Sequence, residues 1–436
     1  MTGPMSKKWR TNLSIGLLTV AILISLFLSS LVWIKPYRYE HTSEARVTKT
    51  STTSLQSLAD VYLPLTAVKT GAEREQYLLV GQPQNVALTA KETLSKRTLK
   101  SGRQVSHGNL SQYRNYLRQP KSLLLSYPSA VTITSFNTSF GQHLATDQLR
   151  LVDHLVLPLD GSNKVYLLRD QGEVVYRYTL SKALSSRLTA ALKGGKKIPV
   201  DFKQINNRIL MTFPHSFKLA TYAAKVGSLN VETVAQKLMN ATKNSSLATR
   251  QEGNQLIYHN GDDRRLVYDQ QKGTLTFENY LKQAWTGSLQ ASDRHFYRRL
   301  SQTNFPQEGV YFDAANRRQQ QETYRTYVEG FAVFNDNNYG TVRIKESKSG
   351  VESMAFSRYY LQNPMPTSKG SVRLQSSTVV FNDLQAAGKL KGVRGLRVGY
   401  RWKKTTHGTV TLTPAYYVKY AGEWVAVSDL IKEGGH

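Results

Sequence analysis

The side chains able to do chemistry are few and dispersed. No cysteine is present, which removes disulfides, thiolate metal sites, iron–sulfur clusters and cysteine nucleophiles together. The histidines, at 41, 107, 143, 154, 215, 259, 295, 407 and 436, include no pair at i, i+3 or i+4. No helix face can therefore offer two imidazoles to one metal ion. Neither G-x-S-x-G, H-E-x-x-H nor G-x-x-x-x-G-K-[ST] occurs. Lys69-Thr70-Gly71 matches the K-T-G element of penicillin-recognising enzymes, but no lysine has a serine three residues before it to act as nucleophile. The triplet reads as a turn. Asp336-Asn337-Asn338-Tyr339-Gly340 carries alternating oxygen donors, yet an EF-hand counted from Asp336 needs glycine at six and glutamate at twelve, where Gly340 stands at five and Ser347 at twelve. A hairpin tip explains it, and Gly261-Asp262-Asp263 reads as a turn too. Asp153-His154 could orient an imidazole, but adjacent residues on a strand face opposite sides. Nothing singles out a carboxylate pair for glycoside hydrolysis, although such a pair needs no fixed spacing. The reading assigns no catalytic residue, no cofactor and no metal.

Charge is the unusual property. The chain carries 58 Lys+Arg against 30 Asp+Glu, a net +28. Lys7, Lys8 and Arg10 are the only charged groups among residues 1–34, leaving +25 for the rest. Such a surface attracts anionic lipid head groups, wall polymer or nucleic acid. Arg401-Trp402-Lys403-Lys404 combines cations with an aromatic, as a stacking site would. No nucleic-acid motif accompanies it, and the reading assigns no nucleic-acid partner.

The elements that would position any site begin with Leu13–Ile34, twenty-two residues without a charge. At 1.5 Å per residue a helix here spans about 33 Å, enough for a bilayer core. Trp9 and Trp33 bracket it and Pro36 ends it. The run is too long for a signal-peptide core and no A-x-A-like exit follows. It predicts an uncleaved single-pass anchor in the cell membrane, with a cytoplasmic N-terminus and the bulk of the chain extracellular. Leu17, Ala21, Ser25 and Ser29 recur every fourth residue, so they form one stripe whose small members admit a second helix.

Beyond the anchor the periodicity alternates between helix and strand, predicting an α+β chain of antiparallel sheets with packed helices. Residues 1–12 are the cytoplasmic tail, 13–34 the transmembrane helix and 35–60 a juxtamembrane linker. A domain at 61–200 contains strands at Leu155–Leu159, Val165–Leu168 and Val174–Tyr178, then a helix capped by Ser181 and stopped at Gly194-Gly195. A middle domain, 201–290, opens a helix after Asn230 and continues with strands at Gln255–His259, Arg264–Asp269 and Thr274–Glu278. The last domain, 291–436, has a helix ending at Gly388 and strands at Leu396–Trp402, Thr409–Thr413, Tyr416–Tyr420 and Trp424–Val427. Helix followed by antiparallel meander occurs in both, so the last two domains read as related.

The stretches LLTVAILISLFLSSLVWIKP, ADVYLPLTAVKTGAEREQYLLV and GLRVGYRWKKTTHGTVTLTPAYYVKYAGEWVAV resemble the YycH (WalH) family. These are membrane-anchored accessory regulators of the WalK–WalR two-component system in low-GC Gram-positive bacteria. The resemblance implies several extracytoplasmic α+β domains, the later ones similar to the companion YycI. It also implies a transmembrane helix that acts with the YycI helix on the sensor kinase WalK. The direction of that action differs among relatives. Two other classes stay open from the residues alone: a membrane-anchored cell-wall enzyme, and an envelope scaffold that binds polyanions.

Overall fold

The computed structural model describes residues 56–432, apart from 185, 242–246, 262, 282 and 405–407. The Leu13–Ile34 anchor and its stripe lie outside the described residues. No helix among the described residues is long and apolar enough to cross a membrane.

Strands dominate, as the frequent β-branched and aromatic runs require. The first sheet contains β1 (Thr66–Thr70), β2 (Gln76–Val80), β3 (Leu99–Ser106), β4 (Ser122–Thr132), β5 (Leu151–Pro158), β6 (Lys164–Arg169), β7 (Val174–Leu180), β8 (Lys196–Ile205) and β9 (Arg208–Thr212). Its order is β3-β7-β6-β5-β4-β1-β2-β8-β9. Central β4 explains its own run of leucines. Leu123 and Leu125 enter one hydrophobic cluster with Phe136, Phe140 and Tyr324, while Leu124 enters another with Val156, Phe213 and Val398. A strand covered on both faces reads as continuous hydrophobicity rather than alternation.

The second sheet begins with β10 (Phe217–Ser228), β11 (Ala248–Glu252), β12 (Gln255–Asn260), β13 (Arg264–Asp269) and β14 (Thr274–Tyr280). It continues with β15 (Val310–Asn316), β16 (Gln321–Val328), β17 (Phe331–Phe334), β18 (Thr341–Glu346) and β19 (Val351–Ser357). The last strands are β20 (Tyr359–Leu374), β21 (Val393–Lys404), β22 (Thr409–Tyr420) and β23 (Glu423–Ala426). Strand β16 joins its parts, pairing β18 along Gln321–Arg325 and β17 through Tyr327 and Val328, while β15 takes its remaining edge. All pairings are antiparallel except β17 with β21.

Several expected elements shift for identifiable reasons. The helix after Leu180 runs only over Ser186–Ala191. Ser181 does not cap it: its backbone N–H and its hydroxyl are both spent on the backbone of Thr98. Thr132 caps the helix Ile133–Phe140 at the end of β4, and Gly141 ends it at φ 62°. Thr409–Thr413 and Tyr416–Tyr420 form one strand despite Pro414. Strand β10 covers β22 only at 409–412 and β23 only at 417–420, so the missing N–H falls where that edge has no neighbour. The Asn335–Gly340 segment is not a hairpin tip. Its flanking strands β17 and β18 do not pair with each other, and the segment crosses between their separate partners. Asn230 does cap Val231–Leu238, accepting from the Thr233 N–H.

Candidate functional site

Two buried ion networks and a cleft occupy the region where the sheets meet. In the first network, Asp293 on the helix Leu289–Gln302 accepts from the Thr132 N–H at 2.9 Å and hydroxyl at 2.8 Å. Its other oxygen meets Arg317 Nη2 at 2.7 Å. Arg317 Nη1 reaches Glu322 at 2.6 Å, and Glu322 also accepts from the hydroxyls of Tyr62 (2.6 Å) and Tyr324 (2.8 Å). Burial, reinforced by the charge of Asp293, pushes the Glu322 carboxyl up to about 8. Burial also opposes ionisation of Asp293, but Arg317 and the hydrogen bonds hold it below the ordinary carboxylate value.

In the second network, Asp313 faces two guanidinium groups. Arg325 Nε donates at 2.9 Å and Arg397 Nη1 at 2.6 Å, while the Tyr327 hydroxyl donates at 2.6 Å. Arg325 and Arg397 both lie over the Phe334 ring, and Arg397 also lies over Trp424 at 3.9 Å. Arg325 and Asp313 are buried, so the two networks bolt β15, β16 and β21 to each other and to the first sheet.

Beside them lies a cleft of about 710 Å³ lined from both sheets. Its first-sheet wall contains a Ser–His–Asp chain in which Ser126 and His154 are buried and Asp170 is partly exposed. His154 Nδ1 is 2.7 Å from Ser126 Oγ and its Nε2 is 3.0 Å from Asp170 Oδ1. Tyr113 donates to the same Asp170 oxygen at 2.6 Å, and Asp153 accepts from the Asp170 N–H at 2.9 Å. Asp153 and His154 thus do not pair with each other; both converge on Asp170. The register places His154 opposite Ser126 on β4 and opposite Leu168 on β6, so Asp170 is two positions along from its cross-strand partner. That proximity follows from the strand register and not from any sequence spacing between the two residues.

The chain has the composition of a nucleophilic triad. Its setting is different. Ser126 lies within β4, paired with Thr66 on one side and His154 on the other, so its backbone is committed to the ladder instead of a sharp turn that gathers N–H groups around an oxyanion. What the geometry does supply is proton storage. Burial pushes Asp153 up to about 7, with Asp170 adding to the shift. Burial would lower His154, but Asp170 and then Asp153 raise it above its ordinary value. Both groups bind protons more tightly folded than unfolded, so their contribution is present at low pH and lost as pH rises. Asp153→Asn should therefore gain stability relative to the parent as pH rises from about 4 to 7, with the gain levelling above that. Urea denaturation across pH 4–8 reads this directly, and a difference independent of pH would contradict the arrangement.

The other sequence candidates are not assembled into a site. Lys69-Thr70-Gly71 ends β1 at its turn to β2. Trp402 is buried and Arg401 forms a two-pronged pair with Asp429, at 2.9 and 2.7 Å, so this segment presents no stacking platform. Among the described residues no group of three or more His, Asp or Glu side chains is arranged to hold a metal ion.

Large antiparallel sheets with few helices, bolted by buried ion pairs around a cleft lined with arginines, define a mixed α+β protein. The model of the YycH protein C-terminal domain matches residues 213–435, just over half of the chain, and the chain belongs to the YycH family. The crystal structure of YycH from Bacillus subtilis is similar in fold, with a TM-score of 0.69 at 14% identity, covering 86% of this chain and 98% of that one. An uncharacterized protein from Eubacterium rectale ATCC 33656 matches 48% of this chain and 82% of its own at 11% identity, with a TM-score of 0.28 that carries no argument. No curated protein matches the chain.

Proposed function

We propose that the chain is a non-enzymatic accessory regulator of the WalK–WalR system, held in the cell membrane by Leu13–Ile34 with its bulk outside. Membership of the YycH family carries this reading. The charge-free stretch supports the anchor, and the Leu17–Ala21–Ser25–Ser29 stripe supports contact with WalK and a YycI-like companion inside the membrane. The helix would bias a two-state kinase by touching its two states differently, and a coupling of about 1–3 kcal/mol is enough to change signalling. The basic remainder supports attraction of wall polymer or lipid head groups to the same surface.

Ala21→Ile combined with Ser25→Ile is expected to change WalR-dependent transcription toward that of a strain lacking the protein, by roughly 5-fold or more for a coupling of this size. Protein level and ectodomain folding should be unaltered. Unchanged transcription would remove the stripe from the mechanism.

A further inference from the structure

Strands β3, β7 and β6 form one end of the first sheet, and their register gathers cations on one face. Arg103 on β3 stands opposite Arg177 on β7, which stands opposite Tyr166 on β6. In the adjoining row Lys100 and Lys164 flank Thr179 from either side. Cross-strand partners share a face, and 177 and 179 are two apart on one strand, so both rows lie on the same face. Strand and residue spacings then put the four cationic residues within about 12 Å of one another along the backbone.

The gathering depends on a bulge. Lys100 and Arg103 are three positions apart, which on a regular strand would turn them to opposite faces. The register shifts by one residue between them. Ser101 takes a φ of 56° there, and Gly102 passes the Tyr178 ring so closely that a Cβ would stand 2.5 Å from it. A bulge of this kind re-aims a side chain, and here it brings Lys100 round beside Arg103.

These charges serve no pairing within the fold. Lys100, Arg103 and Lys164 are exposed and Arg177 is half-buried. None of the four makes an ion pair among the described residues. Asp160 borders the patch beside Lys164 and Tyr166, but it closes its own turn, accepting from the Ser162 N–H at 2.9 Å. Like charges directly opposite one another destabilise a strand pair, so Arg103 against Arg177 costs the fold stability that an anion between them would restore. Tyr116, from the helix Leu110–Leu117, packs on Tyr166 with ring centres 5.0 Å apart and continues the row as aromatic surface.

We infer that this face binds a linear polyanion of the cell envelope, a chain whose phosphodiester groups repeat every few ångströms. The cations are spread over two rows and three strands instead of surrounding one point, so a single phosphate cannot meet them all, whereas a chain crossing the strands presents successive phosphates to Arg103, Arg177, Lys100 and Lys164. Guanidinium groups suit such oxygens because they donate in pairs. The inference deepens the attraction to wall polymer proposed above, and it rests on the reading that the bulk of the chain lies outside the membrane.

The test is fluorescence anisotropy of labelled poly(glycerol phosphate), titrated with the full chain in nanodiscs of zwitterionic lipid. Binding should saturate and weaken as salt is added. Lys100→Glu with Arg103→Glu should weaken it at least tenfold. Lys193→Glu with Lys197→Glu changes the net charge equally, at exposed positions beside and on β8 near the other end of the sheet, and should change affinity less than threefold. Because Arg103→Glu sets a carboxylate opposite Arg177, the first pair should unfold in urea at a midpoint no lower than the parent's, so lost binding is not lost folding. A lower midpoint would overturn the like-charge row on which the site rests. Equal weakening by the two pairs would overturn the site and leave only general charge attraction. Binding that never saturates, or that ignores the first pair, would overturn it as well. Phosphatidylglycerol vesicles that capture the chain through Lys100 and Arg103, with the polymer unbound, would overturn the polymer in favour of a lipid surface. Binding is read without kinase output, so its failure and a failure of the Ala21→Ile, Ser25→Ile transcription assay remain distinguishable.

Discussion

Arg317→Ala should destabilise the folded chain by about 3–5 kcal/mol, because it strands two acidic groups in the interior. Asp293 and Glu322 are both fully buried, and Arg317 is the cation between them, at 2.7 and 2.6 Å. Thr132 and Tyr62 also bond to these two carboxyls, so the loss would be felt by the first sheet and by the segment that enters it. Glu322, already pushed up to about 8, would keep its proton, leaving Asp293 as the uncompensated charge. Combining Arg317→Met with Asp293→Asn and Glu322→Gln should recover much of the loss, since replacing a whole buried ion cluster costs far less than breaking it. Urea denaturation of the single and triple variants measures both effects. A single variant within 1 kcal/mol of the parent would contradict the network.

Asp313→Asn should cost a similar amount, about 3–5 kcal/mol, by the opposite charge logic. The amide keeps the shape but leaves Arg325 and Arg397 facing each other without a counter-ion. Burial opposes the Asp313 charge, yet the two guanidinium groups hold its carboxyl far below the ordinary value. A carboxyl with a depressed folded pKa gives stability that is present above its unfolded pKa, about 4, and is lost as pH falls through the folded value. The penalty of Asp313→Asn should therefore be full at pH 7 and shrink steadily below about pH 4. A penalty constant with pH would mean that shape rather than charge matters at this position.

Those two networks were invisible in the sequence for a definite reason. Asp293, Arg317 and Glu322 belong to a helix, the turn after β15 and strand β16, and the β15–β16 hairpin brings the last two together. Local signals carried the elements instead. The hairpin β5–β6–β7 was legible from its turn residues, with Gly161 and Gly172 at positive φ where only a residue without a Cβ is comfortable. Asn230 announced its helix because a side-chain acceptor ahead of an apolar periodicity has one main use. Ser181 sent the same signal and was taken by Thr98 across the sheet, a contact that no local rule contains. Pro414 pointed to a strand break that the unpaired edge of β22 makes unnecessary.

The cleft shows the same division. His154 was singled out by type, and Asp170 and Ser126 follow from strand register. Trp402 ran the other way: cations beside an aromatic suggested a surface platform, whereas strand alternation turned the ring inward against Tyr339.

The central claim is that the anchor helix meets kinase and companion helices inside the membrane. Photocrosslinking from position 25 in the native host, followed by mass spectrometry of the captured proteins, tests it most directly. The account predicts capture of the WalK sensor kinase or of its single-helix YycI-like companion, with capture reduced by Ala21→Ile. Abundant, folded protein that captures neither would contradict it and leave the helix as an anchor alone.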